Sequence, residues 1–234
     1  IQRVGILGCG LMGSGIAQTA AAAGFKTVVR EVSDTIVAKG KAAITKSLDK
    51  AVEKGKLDAA GRDATLANLS FTTLVADLKD CDLVIEAATE DEKLKKQIFR
   101  DLCPKLSKNA MIATNTSSIS ITRLAAVTDR PERFIGLHFM NPVPLMQLVE
   151  LIRGIATEEE TFTTVHGLVK RLGKTSANSE DFPAFIVNRI LLPMINEAVY
   201  TLYEGVGTVE AIDTAMRLGA NHPMGPLELA DFIG

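Results

Sequence analysis

A glycine-rich turn near the start of the chain constrains the fold more than any other feature. The turn, Gly8-Cys9-Gly10-Leu11-Met12-Gly13, follows an apolar run at 3–7 and precedes small residues at 14–23 that end at Gly24. An apolar run without alternation predicts a strand that is buried on both faces. Glycines between such a strand and a helix let the backbone approach a pyrophosphate at the positive end of the helix dipole. The turn therefore predicts a dinucleotide-binding α/β fold.

Glu31 indicates which dinucleotide the turn holds. It follows the second predicted strand, 27–29, about 20 residues beyond the turn, where an acidic side chain accepts hydrogen bonds from the adenosine ribose hydroxyls. A carboxylate at this position repels a 2′-phosphate, so the sequence favours NAD over NADP. The neighbouring Arg30 weakens that preference, and Cys9 within the turn is expected to pack as a small apolar residue.

Strand and helix signals alternate along most of the chain. Further inner strands are predicted at 83–85, 111–113, 134–137 and 148–152. A helix is predicted at 93–106, and a proline-containing loop at 140–146 joins the last two strands. This order is typical of an α/β fold of the Rossmann type, with a doubly wound, mostly parallel sheet and helices on both faces.

One segment interrupts the alternation. Between 35 and 69 no strand is predicted, and apolar residues recur at helical spacing, namely Ile36, Ile44, Leu48 and Val52. We expect a helical hairpin insertion here, with its turn near Gly55 and Gly61.

The character of the sequence changes after Asp181. Helical patterns at 182–203 and 209–218 follow one another without a strand, separated by Gly205 and Gly207. We expect an NAD-binding Rossmann domain at 1–182 and a small, all-helical C-terminal domain at 183–234. Because about 50 residues make a poor core, the second domain is expected to be incomplete, and a start at Ile1 suggests that a short N-terminal piece was trimmed.

Composition excludes several classes of protein. The 26 basic and 28 acidic residues give a net charge of −2, which argues against a nucleic-acid-binding domain. No apolar run approaches the roughly 20 residues that cross a bilayer, so no membrane span is expected. The three scattered cysteines are too few for a disulfide scaffold or a zinc site, so we expect no metal and a reducing, intracellular setting.

His138 is the strongest candidate for acid–base chemistry. It ends a predicted strand, on the side of an open α/β sheet where ligands bind, and Glu150 lies in the strand that returns after the loop. A carboxylate beside an imidazole fixes its tautomer and makes it a better base. The polar cluster at 114–118 ends another strand and is expected to face the same cleft, although Ser117 or Ser118 is also suited to cap a helix near 119. His166 and His222 are expected to be structural.

Four lysines are predicted to share one face of the hairpin helix, Lys39, Lys46, Lys50 and Lys54. Such a face is suited to bind the phosphates of a long ligand. The alternative is a solvated face interleaved with Asp49 and Glu53.

Five stretches resemble the 3-hydroxyacyl-CoA dehydrogenases, the bacterial 3-hydroxybutyryl-CoA dehydrogenases most of all. The similarity covers essentially the whole chain, and the stretches are 4–13, 85–90, 114–118, 136–144 and 185–189. The resemblance implies NAD-linked, reversible oxidation of a (3S)-3-hydroxyacyl-CoA, short-chain first of all, to the 3-ketoacyl-CoA. It also implies a place in fatty acid or butanoate metabolism, a cytoplasmic enzyme (or a mitochondrial one without its transit peptide), and a homodimer formed through the complete helical domain.

The resemblance also assigns roles to single residues. His138 is implied as the catalytic acid/base with Glu150 as its partner, and Ser117 and Asn188 are implied to hold the substrate oxygen. The residues implied around NAD are Gly8, Gly10, Leu11, Met12, Gly13, Glu31, Glu90, Lys95, Ser117 and Asn141. Ser47 and Lys54 match positions near coenzyme A.

Two departures from the family pattern keep another class open. The chain has Ala184 where relatives carry glycine, and it ends at Gly234 where relatives continue with further helices. The alternative is a non-catalytic NAD- or acyl-CoA-binding protein, or a crystallin-like structural protein, on the same fold. A hydroxy-acid dehydrogenase with a catalytic lysine shares the glycine turn but gives His138 and Glu150 no role.

Overall fold

The computed structural model describes residues 1–233, which form two compact units. The first unit is Ile1–Pro183, and the second begins at Ala184. Among the described residues no helix is both long and apolar enough to span a membrane.

The first unit is built on one eight-stranded sheet. Its strands are β1 Arg3–Leu7, β2 Lys26–Arg30, β3 Leu69–Thr72, β4 Leu83–Glu86, β5 Met111–Thr114, β6 Phe134–Phe139, β7 Leu148–Arg153 and β8 Thr175–Glu180. The strand order is β3-β2-β1-β4-β5-β6-β7-β8, and neighbours are parallel except for the antiparallel pair β6 and β7. The predicted Rossmann-type sheet is thus confirmed.

Helices of the first unit cover both faces of the sheet. They are α1 Leu11–Ala22, α2 Asp34–Glu53, α3 Ala59–Ala67, α4 Glu92–Leu102, α5 Ile121–Ala125 and α6 Glu159–Arg171. The inner strands carry fully buried side chains such as Ile6, Ile85 and Leu137, because both of their faces are covered. The six strands predicted from apolar runs all form.

Two strands of the sheet were not predicted. β3 and β8 lie at its two edges, and most of their residues are half-buried or exposed. An edge strand of this kind has no continuous apolar run, since one side of it faces solvent. Such a strand forms because its backbone hydrogen-bonds to the neighbouring strand.

The helical hairpin is confirmed as α2 and α3, with one correction at its turn. Gly55 lies in the turn with φ +64°. Gly61, however, lies in the first turn of α3, where its N–H donates to the Asp58 carboxylate that caps the helix. The predicted helix at 93–106 ends earlier, since α4 stops at Leu102 and a short 3-10 turn follows.

The second unit contains helices in its described residues, α7 Val187–Tyr203, α8 Val209–Gly219 and α9 Pro226–Ile233. The helix predicted from 182 begins at Val187, because Ala184 and Phe185 adopt left-handed backbone conformations. The third helix was not predicted. The Asp213 carboxylate accepts hydrogen bonds from the N–H groups of Leu227 and Glu228 in its first turn.

Candidate active site

The glycine turn lies at the carboxyl end of β1 and leads directly into α1. Gly8 has φ +99°, and a Cβ atom there would come 2.6 Å from the Ala87 carbonyl oxygen. A Cβ atom on Gly13 would overlap the Gly8 carbonyl oxygen. Gly10 is the N-cap of α1 and offers no side chain to the N–H groups of its first turn. A tight turn that leads into a helix whose first N–H groups have no side-chain cap is suited to bind the pyrophosphate of a dinucleotide.

Glu31 lies beside this turn. One oxygen of its carboxylate accepts a hydrogen bond from the Cys9 N–H at 2.7 Å, and the other accepts from the Val32 N–H at 2.8 Å. The Arg30 side chain is held elsewhere, since its Nε donates to the Thr73 carbonyl oxygen at 3.3 Å. The charged group at the turn is therefore the carboxylate, which fits a ribose rather than a 2′-phosphate.

His138 and Glu150 are brought together by the return of the chain from β6 to β7. The two residues are register partners in this antiparallel pair, and His138 Nδ1 lies 2.8 Å from Glu150 Oε2. Glu150 is fully buried, and 7% of the His138 side chain is exposed. Because an anionic carboxylate only accepts, the contact assigns the Nδ1 proton to His138 and leaves the basic lone pair on Nε2. This arrangement is chemically suited to a general base whose ring is held in place by its partner.

The loop at 140–147 between these strands is held by a lysine that the sequence did not single out. Lys174 Nζ donates to the carbonyl oxygens of Val143 and Met146, both at 2.7 Å. Burial lowers the pKa of the Lys174 ammonium. On its other side the loop packs on α1, where a Cβ atom on Gly15 would come 2.8 Å from Val143 Cβ. The loop that carries Asn141 is thereby fixed at both sides.

A buried carboxylate ends β4. Glu86 is fully buried, and its carboxylate accepts from Lys95 Nζ at 2.6 Å, from Thr114 Oγ1 at 2.7 Å and from the Ala88 N–H at 2.8 Å. Lys95 is 1% exposed. The sequence resemblance implies that Lys95 lies near the cofactor, and the structure adds a partner for it that sequence reasoning missed, the buried Glu86. An acidic residue at the end of an otherwise apolar strand was the available signal.

Glu90 ties the loop after β5 to the loop after β4. Its carboxylate accepts from Thr116 Oγ1 and from the Ser117 N–H, both at 2.7 Å. In the same loop the side-chain oxygen of Asn115, a member of the predicted polar cluster, accepts from the Phe139 N–H at 2.8 Å. Residues at the carboxyl ends of β4, β5 and β6 thus share one polar network.

The predicted capping role of Ser117 or Ser118 is wrong. The helix that follows, α5, begins at Ile121, and its cap is Ser120, whose Oγ accepts from the Arg123 N–H. Asp181 also binds this helix end, through the N–H groups of Ile121 and Thr122. The cap lies later than predicted because residues 117–119 form a bend, in which the Ile119 N–H donates to Thr116 Oγ1 at 3.0 Å.

The remaining predicted residues lie on α2 and on α7. Ser47 is half-buried on α2, Lys54 is its exposed C-cap, and the whole lysine face is exposed. Asp49 pairs with Arg62 at 2.6 Å, and among the described residues none of the four lysines forms an ion pair. Asn188 lies in the first turn of α7, in the second unit.

Two family models match the chain over almost its whole length. The NAD-binding domain of 3-hydroxyacyl-CoA dehydrogenase matches residues 3–182, and the C-terminal domain of the same family matches residues 185–234.

Individual relatives are similar over the full chain. A 3-hydroxybutyryl-CoA dehydrogenase of Bradyrhizobium diazoefficiens is 61% identical over 234 residues, which are 100% of this chain and 80% of that protein. A mitochondrial hydroxyacyl-coenzyme A dehydrogenase of Rattus norvegicus is 43% identical, over 100% of this chain and 76% of its own. The crystal structure of (S)-3-hydroxybutyryl-CoA dehydrogenase from Ralstonia eutropha superposes with a TM-score of 0.98 at 52% identity, covering 100% of this chain and 83% of the other. The chain therefore belongs to the 3-hydroxyacyl-CoA dehydrogenase family.

Proposed function

We propose that this chain is an NAD-dependent dehydrogenase that reversibly oxidises the 3-hydroxyl of a short (3S)-3-hydroxyacyl-CoA, 3-hydroxybutyryl-CoA first of all, to the 3-ketone. The observation that carries the proposal is the 2.8 Å contact between His138 Nδ1 and Glu150 Oε2 at the carboxyl end of the sheet. The names of the similar proteins from Bradyrhizobium diazoefficiens and Ralstonia eutropha support the same substrate.

In this reaction His138 moves the proton. Nε2 takes the proton of the 3-hydroxyl, and Glu150 stabilises the imidazolium that forms while holding the ring in place through Nδ1–H. NAD, when bound, supplies the hydride acceptor for C3 of the substrate. In the reverse direction the imidazolium returns the proton to the oxygen of the ketone. Glu150 is buried, and its surroundings screen the carboxylate charge poorly, so its attraction for the imidazolium is stronger than at an exposed site.

We assign the other roles as the family pattern suggests. The glycine turn, with Leu11 and Met12, binds the pyrophosphate, and Glu31 binds the adenosine ribose. Ser117 and Asn141 lie at the nicotinamide, with Glu90 and Lys95 near the cofactor. Ser117 and Asn188 hold the substrate oxygen. Ser47 and Lys54 receive coenzyme A, and the exposed lysine face of α2 supports a polyanionic ligand there.

The setting of the enzyme is part of the proposal. Three free and buried cysteines and the bacterial relatives support a reducing cytoplasm. A homodimer formed through the helical unit and a role in fatty acid or butanoate metabolism follow from the family resemblance, and both remain predictions.

The assay is the oxidation of NADH in the presence of acetoacetyl-CoA, with longer 3-ketoacyl-CoA substrates to define chain length. His138→Ala is expected to lower kcat by roughly 10²–10⁴-fold, the usual contribution of a general acid or base. His166→Ala is the matched control, because that imidazole stacks on Phe162 on α6 and has no role in the reaction. Unchanged turnover by His138→Ala would refute the assignment, and NADH binding without any turnover by the parent chain would favour the non-catalytic alternative.

A further inference from the structure

The loop between β6 and β7, at 140–147, buries little surface of its own. Val143 is 2% exposed and is the buried residue of this loop, whereas Asn141, two residues earlier, is exposed. Backbone hydrogen bonds to the Pro142 carbonyl oxygen close one turn within the loop. A segment with so few buried contacts depends on neighbouring parts of the chain for a fixed conformation.

The start of β8 supplies such contacts. Lys174 is 8% exposed, and its Nζ donates to the carbonyl oxygens of Val143 and Met146, both at 2.7 Å. The next residue, Thr175, donates its N–H to the Gln147 carbonyl oxygen at 2.9 Å. Two consecutive residues thus hold the loop at three of its carbonyl groups.

The opposite side of the loop lies against α1. A Cβ atom on Gly15 would come 2.8 Å from Val143 Cβ, so the two elements pack without space between them. The helix begins directly after the glycine turn, which binds the pyrophosphate in the proposed function. The seat of Val143 between Lys174 and α1 therefore fixes how far Asn141 lies from the pyrophosphate site.

We propose that Lys174 is a positioning residue for the nicotinamide half of NAD(H), which it serves by holding the 140–147 loop and not by touching the cofactor. The inference rests on the proposed function, in which Asn141 lies at the nicotinamide. The side-chain hydrogen bonds of Lys174 go to this loop, whereas the adenosine half is assigned to the glycine turn and Glu31. Loss of Lys174 is thus expected to affect one half of the cofactor and spare the other.

Two nucleotides separate these halves. ADP-ribose contains the adenosine, the pyrophosphate and the second ribose of NADH but no nicotinamide. Lys174→Met keeps an unbranched side chain and leaves the two carbonyl groups without their donor, so we expect the loop to move. The Kd of NADH should rise about 10-fold and that of ADP-ribose by less than about twofold, with both values measured by titration calorimetry.

Other outcomes overturn the proposal. Equal weakening of both nucleotides would indicate a general effect on the fold, and a lower Tm with both Kd values unchanged would indicate a purely structural role. Lys170→Met is the matched control, because this lysine is exposed in the last turn of α6 and the variant makes the same change in charge. It is expected to change neither Kd nor Tm.

Lys174→Gln decides the matter if Lys174→Met does not fold. The amide is shorter by one bond, retains two N–H donors and buries no charge. Positioning predicts that the ratio of the NADH Kd to the ADP-ribose Kd still rises, by about threefold. An unchanged ratio in this variant would overturn the proposal.

The outcome is distinguishable from that of the substrate assignment, because the nucleotide comparison needs no acyl-CoA. Positioning also predicts that kcat with NADH and acetoacetyl-CoA falls about 10-fold in Lys174→Met, since the nicotinamide is held away from its reacting geometry. A parent chain that binds NADH without turnover would refute the proposed function and leave the nucleotide comparison intact. An active parent whose Lys174 variants keep the parental ratio of Kd values would refute the positioning role alone.

Discussion

Ala184 and Phe185 adopt φ angles of +66° and +54°, in the left-handed region that a Cβ atom disfavours. Ala184→Gly removes the crowded Cβ atom at the first of these positions. We expect the free energy of unfolding to rise by about 1 kcal/mol, because relief of the strain exceeds the extra entropy that glycine gives the unfolded chain. Urea denaturation of the two proteins measures the difference.

In the matched control the same substitution is expected to lower the free energy of unfolding instead of raising it. Ala215 is exposed within α8, where the backbone is helical, and Ala215→Gly should cost about 1 kcal/mol. A loss of stability in Ala184→Gly as well would contradict the argument from backbone strain.

The short helix α5 depends on a carboxylate from a distant part of the chain. Asp181 accepts from Ser120 Oγ at 2.7 Å, from the Ile121 N–H at 2.9 Å and from the Thr122 N–H at 2.8 Å. Burial alone would raise the pKa of Asp181, but these hydrogen bonds outweigh burial and hold the pKa below its usual range. α5 directly follows the loop that contains Ser117, so this contact fixes one end of that loop.

Asp181→Asn tests the contact through its pH dependence. Since the pKa is lowered in the folded state, the stabilisation is complete above the unfolded pKa of about 3.9 and is lost as pH falls through the folded value. The variant should be about 1 kcal/mol less stable at neutral pH, and the difference should shrink in acid. Denaturation at a series of pH values measures it, with the exposed Asp80→Asn as the control. A difference that does not change with pH would exclude the charge of Asp181 as its source.

The nucleotide that the NAD-binding unit prefers is expected to raise the Tm of the whole unit. A ligand at 100 times its Kd adds about 2.7 kcal/mol to the folded state, which raises the Tm of a unit of this size by about 5–10 °C. NADH is expected to give this shift. NADPH at the same concentration should give little, because a carboxylate at the proposed ribose position of Glu31 would repel a 2′-phosphate. A thermal denaturation series with both nucleotides measures the effect, and equal shifts would remove Glu31 as the specificity determinant.

Local sequence patterns determined the inner strands of the sheet and the glycine turn of this protein. The apolar runs of β1, β4 and β5 can be recognised in the sequence because burial on both faces makes them continuous. The glycine turn can be recognised because a Cβ atom does not fit at Gly8 or Gly13. The sequence also predicts that His138 and Glu150 lie together, because a strand that returns after a short loop pairs with the strand before it.

Contacts between distant residues were decided by tertiary packing. The edge strands β3 and β8 form only where a neighbour completes their hydrogen bonds, and Lys174 and Asp181 bind groups 31 and 61 residues away in the chain. Lys95 received its partner in the same way, because β4 and α4 place Glu86 beside it and remove both charges from water. Periodicity and turn chemistry act over a few residues, whereas the solvation of a charge depends on everything that is packed around it.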